Sequence, residues 1–172
     1  ENVLQTLGAI HYLTKKEIKS NNAYLKFNKN NKKIVSLIVG GPNNYYDFNE
    51  KEIGFLFNKI KIIFSPDKYK LIVVPSYRTP KNIIDMSFGV FGDDHVVVKS
   101  VDKKAYLSAL SLADYIVVTS DSTSMISESA VTGKPIYIAN MKAKKSSKRF
   151  NKFYNQFKQM KIIRDLEKNI ET

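Results

Sequence analysis

The chain has 172 residues, a length typical of one domain with its own hydrophobic core. It contains no cysteine, which excludes disulfide bonds, thiolate metal sites and a cysteine nucleophile. The net charge is +12, which would suit a phosphate-bearing partner, but the lysines are spread along the chain and the aromatic residues are not interleaved with arginine. We therefore interpret the lysines as surface-solvating and expect no specific nucleic-acid partner.

The apolar runs, such as Leu71–Pro75, are too short to cross a bilayer. The first residues lack the basic and then apolar regions of a secretory signal, so we expect a cytoplasmic protein. Peripheral contact with an anionic membrane remains an alternative because of the charge. The chain also begins without a methionine, as expected of a piece of a longer protein.

The first thirty residues form an entering segment that differs in pattern from the rest. Val3–Ile10 reads as an additional strand or a linker, and Thr14–Phe27 as a helix. The polar stretch Asn28–Lys33 marks a loop. We place the main domain over residues 31–172.

In the main domain, short β-branched runs alternate with longer amphipathic stretches. The predicted strands are Ile34–Val39, Lys70–Pro75, His95–Lys99, Tyr115–Thr119 and Pro135–Ala139. The predicted helices are Glu50–Phe64, Pro80–Phe88, Lys103–Ala113, Thr123–Thr132, Ser147–Met160 and a last segment, Arg164–Asn169. Gly133 is placed to stop the fourth of these helices. The alternation predicts an α/β domain, a doubly wound parallel Rossmann-like sheet with helices on both faces.

The first strand ends in Gly40-Gly41-Pro42-Asn43. Two adjacent glycines let the backbone approach a ligand closely and leave N–H groups free for an anion, although a tight turn would need them too. The run is neither a dinucleotide fingerprint nor a P-loop.

The second strand ends in Ser76-Tyr77-Arg78-Thr79. Arg78 suits a phosphate or carboxylate, and Ser76 and Thr79 can donate to the same group. Alternatively, Arg78 forms a surface ion pair and Thr79 caps the next helix.

The fourth strand ends in a run of hydroxyl and acidic residues, Thr119 to Ser124. Their hydroxyls and the first N–H groups of the next helix favour a phosphate, with Asp121 or Ser122 as the cap. Ser124 and Glu128 lie one turn apart on one face, and a carboxylate at Glu128 can accept both hydroxyls of a ribose. A solvent-facing glutamate is the alternative.

Other polar residues give weaker indications. The basic run within Asn140–Arg149 either covers the site, contacts a negative partner or is simply solvated. His11 is more typical of a structural histidine than of an acid or base. No Ser-His-Asp order and no metal constellation occurs, so we assign no catalytic residue and no metal.

Four segments together resemble the mitochondrial-fission elongated-mitochondria family, which has plant members and bacterial members often labelled as predicted nucleoside-diphosphate-sugar epimerases. The matching segments are 3–11, Leu37–Asn43, Ser76–Pro80 and 113–128, with Thr132–Pro135 in addition. Family members commonly carry Asn-Pro-Tyr where this chain has Lys104-Ala105-Tyr106.

The resemblance implies the C-terminal, nucleotide-binding half of a two-domain GT-B-like protein whose N-terminal half lies outside this chain. More distantly, Asp121–Gly133 is similar to the donor-binding helix of GT-B glycosyltransferases that build peptidoglycan precursors. There the matching glutamate holds the ribose, which corresponds to Glu128. The glycine-rich loop of those enzymes faces the diphosphate, which corresponds to Gly40, Gly41 and Asn43.

The first hypothesis is therefore a nucleoside-diphosphate-sugar-binding domain of a glycosyltransferase-like protein, with the nucleotide sugar as ligand and no bound cofactor. The epimerase label is not supported, because the chain has no dinucleotide fingerprint and no Tyr-x-x-x-Lys pair placed for hydride chemistry. The alternative is a non-catalytic adaptor, since the plant relatives recruit a dynamin-type fission machine. A third hypothesis is nucleic-acid binding through bulk charge.

Overall fold

The computed structural model describes residues 6–167 and residue 170, and these form alternating strands and helices. The strands are β1 (Lys33–Val39), β2 (Tyr69–Pro75), β3 (Val96–Val97), β4 (Tyr115–Thr119), β5 (Ile136–Ala139) and β6 (Ile163–Asp165). The helices are α1 (Lys15–Ser20), α2 (Glu50–Ile63), α3 (Lys81–Phe91), α4 (Lys103–Leu112), α5 (Thr123–Ala130) and α6 (Lys148–Gln159).

The six strands form one parallel sheet in the order β3-β2-β1-β4-β5-β6. This is the strand order of the Rossmann fold, and it reverses direction between β1 and β4. The predicted doubly wound α/β fold is confirmed. In such sheets ligands bind outside the carboxyl ends of the strands at this switch point.

The strands are apolar because helices cover both faces of the sheet. Val35, Leu37 and Val39 face one cluster, which includes buried residues of α2 and α3. Ile34 and Ile38 face the other cluster, which includes buried residues of α1, α4 and α5. Helix α6 lies at the border, since its Phe150 belongs to the first cluster and its Phe157 to the second.

Three predicted elements differ in type or length from the structure, and the strand predicted over His95–Lys99 is shortened to Val96–Val97. The predicted helix over Thr14–Phe27 stops at Ser20, because Asn21 caps it and the Leu25 N–H donates to Ser108 Oγ on α4 instead of continuing the helix. No strand forms over residues 6–10, and the rest of that prediction lies outside the described residues.

The predicted last helix, Arg164–Asn169, is wrong over its described part. Ile163–Asp165 pairs with β5 as a sixth strand, and the Leu166 N–H donates to the Ile138 carbonyl. Burial of Ile163 and Leu166 favours the strand, since a strand places them beside the apolar β5. Lys168 and Asn169 lie outside the described residues.

Candidate functional site

The ends of β1, β2 and β4 meet around the carboxylate of Asp121, whose side chain is completely buried. Thr119 Oγ1 donates to Asp121 Oδ1 at 2.6 Å, and the Gly41 N–H donates to Oδ2 at 3.1 Å. The Arg78 guanidinium donates to Oδ2 at 2.8 Å. Burial raises the pKa of Asp121, while these hydrogen bonds and the arginine lower it. The three strand ends are therefore joined by one ionic network.

The double glycine lies directly against this network. A Cβ on Gly40 would come within 2.2 Å of Asp121 Oδ1, and one on Gly41 within 2.0 Å of the Arg78 carbonyl oxygen. The Gly40 N–H donates to Thr119 Oγ1 at 2.8 Å, and that of Gly41 to Asp121. The glycines thus allow close approach, but to the protein's own groups, and both of their N–H donors have protein acceptors. Phosphate contact through this loop stays a prediction.

Asn43 and Thr79 belong to the same layer. Asn43 Nδ2 donates to the Asp121 carbonyl at 3.1 Å, and its side-chain oxygen accepts from the N–H groups of Tyr45 and Tyr46. The Thr79 hydroxyl lies 2.7 Å from the Gly40 carbonyl oxygen and makes no cap, since Pro80 is the N-cap of α3 without a side-chain hydrogen bond. Both side chains hold the β1 and β2 ends in place.

A cavity of about 570 Å³ opens above this network, on the face of the sheet covered by α1, α4 and α5. Three parts of the chain line it: the entering segment, the strand ends, and the first turns of α4 and α5. Its lining residues include His11, Ser76, Tyr77, Arg78, Lys103, Tyr106, Ser122 and Glu128. A volume of this size lies within the range of small-molecule sites.

Glu128 faces the cavity from α5 and has a defined partner. The Tyr106 hydroxyl on α4 donates to Glu128 Oε2 at 2.7 Å. Burial and the carboxylate raise the pKa of Tyr106 well above its ordinary value, so the phenol stays a donor. Oε1 of Glu128 has no hydrogen-bond partner among the described residues and can accept from a ligand hydroxyl. Ser122, the N-cap of α5, accepts from the Met125 N–H beside it.

Arg78 is shared between the network and the cavity. Its Nη1 donates to the carbonyls of Gly41 at 2.8 Å and Pro42 at 3.3 Å, and its Nη2 donates to Asp121. The side chain is 40% exposed, and the Nε–H and one Nη2 hydrogen have no protein acceptor in the part of the chain that the structure describes. The arginine can therefore contact an anion without giving up the buried carboxylate.

The entering segment closes one side of the cavity. The Ala9 N–H donates to Ser127 Oγ of α5 at 3.0 Å. Lys103 pairs with Glu17 at 2.9 Å, and this pair joins α4 to α1 at the cavity wall. Residues of the entering segment, which the sequence pattern separated from the main domain, thus contribute to the site. The boundary between residues 1–30 and 31–172 stays a prediction.

Of the predicted site residues, Ser76, Arg78, Ser122 and Glu128 line the cavity. A second group lies in the buried network next to it, namely Gly40, Gly41, Asn43, Thr79, Thr119 and Asp121. Ser124 is exposed on α5 and does not line the cavity.

Sequence reasoning missed Tyr106 and Lys103 and did not select His11. Tyr106 could have been selected from the sequence, because it aligns with the tyrosine of the Asn-Pro-Tyr that members of the resembling family commonly carry. Among residues 6–167 and 170, no group of three acidic or histidine side chains could hold a metal ion. No helix within those bounds is long and apolar enough to cross a membrane.

Comparison with known proteins gives a family match over the whole chain. The family model described as Mitochondrial fission ELM1 matches residues 1–172. A Rickettsia prowazekii (strain Madrid E) protein named "Uncharacterized protein RP120" is 33% identical over 136 residues, which are 76% of this chain and 38% of that protein. The Arabidopsis thaliana "Mitochondrial fission protein ELM1" is 38% identical over 65 residues, which are 37% of this chain and 15% of that protein. The alignments thus cover less than half the length of either relative.

Two solved structures show weaker similarity. One is a UDP-GlcNAc 2-epimerase from Neisseria meningitidis bound to UDP-GlcNAc, with 14% identity and a TM-score of 0.45 over 85% of this chain and 39% of that one. The other is the wall teichoic acid polymerase TagF, with 12% identity and a TM-score of 0.42 over 72% of this chain and 28% of that one.

Proposed function

The chain belongs to the Mitochondrial fission ELM1 family, and from its cavity we propose that it binds a nucleoside diphosphate sugar as the C-terminal half of a GT-B glycosyltransferase-like protein. The observation that carries this proposal is the placement of Arg78 and Glu128 in one cavity at the switch point of the sheet. A cation beside a carboxylate suits a ligand that has both an anionic diphosphate and a ribose diol.

Each part of the ligand has a matching group. The two N–H donors of Arg78 without a protein acceptor suit diphosphate oxygens. The N-terminus of α5, where Ser122 lines the cavity, adds N–H groups and the positive end of the helix dipole. Glu128, held by Tyr106, accepts from the ribose hydroxyls.

The proposal concerns binding, and it assigns no catalytic residue. An acceptor site and a base would come from an N-terminal domain of the same protein.

The test is a thermal titration of the intact protein with UDP, GDP, ADP and their sugars. A ligand at about a hundred times its Kd adds about 2.7 kcal/mol of stability, which raises Tm by roughly 5 to 10 °C in a protein of this size. Glu128→Ala and Arg78→Ala should each weaken binding about tenfold or more, because each removes a hydrogen bond to or from a charged group. Arg149→Ala is the matched control, since this exposed arginine lies outside the cavity.

The proposal fails if none of these nucleotides changes the Tm of the intact protein. It also fails if Arg149→Ala weakens binding as much as Arg78→Ala does, because the effect would then follow from charge alone.

An adaptor role is a second candidate, favoured by a basic surface on α6 and the loop before it. We define this basic surface as Lys142, Lys145, Lys148, Arg149 and Lys152. All five side chains are exposed, and none forms a salt bridge within the described part of the chain. Lys145 and Arg149 lie over the rings of Tyr45 and Phe150 instead. Unneutralised cations at this density would attract an anionic membrane surface or an acidic partner.

Charge reversal separates this role from nucleotide binding. Lys145→Glu combined with Lys148→Glu and Arg149→Glu should abolish co-sedimentation with phosphatidylserine vesicles and leave nucleotide affinity unchanged. A triple reversal of Lys16, Lys51 and Lys61, which are exposed elsewhere, is the control for net charge. Equal loss of vesicle binding in both triple variants would contradict a role for the basic surface.

A further inference from the structure

His11 lines the cavity and has no role in the proposed function. It arrives on the entering segment, which is fixed on α5 by the Ala9 N–H bond to Ser127 Oγ. Gly8 packs closely at the same place, since a Cβ there would come within 2.7 Å of Ser127 Oγ and 3.1 Å of Phe157 Cζ. The backbone leading to His11 is thus held against the helix that carries Glu128.

The charged groups of the cavity wall are already partnered. Their partners in the described structure are Asp121 for Arg78, Glu17 for Lys103, Tyr24 for Asp102 and Tyr106 for Glu128. His11 differs from all of these, because neither of its ring nitrogens has a hydrogen-bond partner among the described residues. Nδ1 is buried and Nε2 is not, so Nε2 is the nitrogen that a molecule in the cavity can reach.

We propose that His11 is a ligand-binding residue whose Nε2–H donates to an oxygen of the bound nucleoside diphosphate, an assignment that rests on the proposed function. The tautomer of a histidine is set by the hydrogen bonds that its two nitrogens make. No group in the described part of the chain fixes the tautomer of His11. Phosphate and ribose oxygens accept hydrogen bonds, so the ligand itself selects the form with the proton on Nε2.

Two amide substitutions tell the two nitrogens apart. The amide of His11→Gln lies near the position of Nε2, whereas the amide of His11→Asn lies near that of Nδ1. We expect His11→Gln to bind UDP, GDP or ADP within about twofold of the unmodified protein, and His11→Asn and His11→Ala to bind about tenfold more weakly. Isothermal titration of the intact protein measures these affinities.

The melting temperatures of the same three variants test whether His11 has only a structural role. Because His11 makes no hydrogen bond to the described protein, none of the three substitutions should change Tm without nucleotide by more than about 2 °C. A loss of Tm that parallels the loss of affinity would overturn the assignment of His11 as a ligand contact. Equal affinity of His11→Asn and His11→Gln would overturn the assignment to Nε2.

Glu128→Gln distinguishes failure of this inference from failure of the proposed function. Suppose that the unmodified protein binds a nucleotide, that Glu128→Gln weakens this binding and that all three His11 variants bind with unchanged affinity. In that case only the role of His11 is wrong. If the unmodified protein binds no nucleotide, the proposed function fails and the role of His11 fails with it.

Discussion

Residues at the strand ends have two kinds of role. Arg78 and Glu128 line the cavity. Gly41 and Thr119 donate hydrogen bonds to Asp121 and so join the ends of β1 and β4. Arg78 and Glu128 could be predicted because each follows a strand and has a chemistry that suits a nucleotide. The partner of Arg78 could not, since Asp121 is 43 residues away and was expected to contribute to a phosphate site, with either Asp121 or Ser122 as the helix cap. Such a pairing depends on how β2 and β4 are placed beside β1. His11 was interpreted as a structural histidine, because the sequence of the entering segment has no periodic pattern that would place it at the strand ends.

Gly41 tests how tightly the strand ends pack. Gly41→Ala should lower the free energy of unfolding by about 1 to 3 kcal/mol, because its Cβ would lie 2.0 Å from the Arg78 carbonyl oxygen, a backbone atom that cannot move aside cheaply. Gly54→Ala is the control. Apart from the nearby backbone of α2 and the two chain neighbours, no described atom lies within 4 Å of a Cβ there, and the α2 position favours alanine by about 1 kcal/mol. Urea denaturation of both variants measures the difference, and equal stability of the two would contradict the close packing.

His95 makes stability depend on pH. Burial lowers the pKa of this histidine to about 4 from its ordinary 6.5, and Asp94 opposes the shift while Lys70, Lys32 and Lys61 add to it. Since the folded pKa is depressed, the unfolded chain takes up the proton first. The stabilisation is therefore full above about pH 6.5 and is lost as the pH falls toward 4.

We expect this histidine to account for about 2 kcal/mol of stability lost between about pH 7 and about pH 5. His95→Asn keeps an acceptor for the Leu71 N–H, which now donates to His95 Nδ1, and removes the titration. The difference in unfolding free energy between the two proteins across this range isolates His95 from the carboxylates. A pH-independent difference would show that His95 is not buried in its neutral form.

At the scale of elements, the strongly patterned strands and helices of the sheet are confirmed, and errors occur where the pattern is short. The predicted β1 and β4 agree with the structure to within one residue, because continuous β-branched runs bounded by polar residues allow few alternatives. The region after α6 was assigned to a helix, but its three-residue strand depends on the edge of β5, which is a tertiary contact. The length of α1 was likewise limited by α4 and not by its own propensity.

The first turn of α5 gives a prediction at this scale. Ser122→Ala and Ser147→Ala should each cost about 1 kcal/mol of stability, because both serines are N-caps that accept a backbone N–H, of α5 and α6 respectively. Only Ser122 lines the cavity, so only Ser122→Ala should also weaken nucleotide binding. Chemical denaturation and nucleotide titration of the pair measure the two effects. A similar loss of affinity in Ser147→Ala would indicate that general loosening of the domain is responsible.

At the scale of the whole molecule, the alternation of strands with helices was sufficient to predict the fold. The net charge, in contrast, does not identify one partner. The charge of +12 fits several anionic partners, because charge acts over the whole surface and carries little information about position. The cavity is more specific, since it brings Arg78, Glu128 and the N-terminus of α5 together at the switch point.

The dependence of affinity on salt concentration distinguishes nucleic-acid binding through bulk charge from nucleotide binding in the cavity. Between about 50 mM and 200 mM NaCl, nucleic-acid binding that depends on several phosphate contacts should fall by about a thousandfold or more. Binding of a single nucleoside diphosphate involves few released counterions and should weaken far less. Fluorescence anisotropy with a labelled single-stranded oligonucleotide, compared with UDP titration at both salt concentrations, measures both. A steep fall of oligonucleotide binding, without UDP binding at either salt concentration, would favour nucleic-acid binding through bulk charge, and oligonucleotide binding that persists at the higher salt would contradict it.

The shared guanidinium of Arg78 has a consequence for how this protein can change over evolution. The arginine joins the carbonyl of Gly41 to the carboxylate of Asp121, and Gly41 in turn has no room for a side chain beside the arginine's backbone. A lineage that replaced the arginine would keep a buried carboxylate without its cation, and selection would then favour loss of that carboxylate as well. We expect positions 41, 78 and 121 to be conserved together or replaced together in related proteins, although they lie far apart in the sequence.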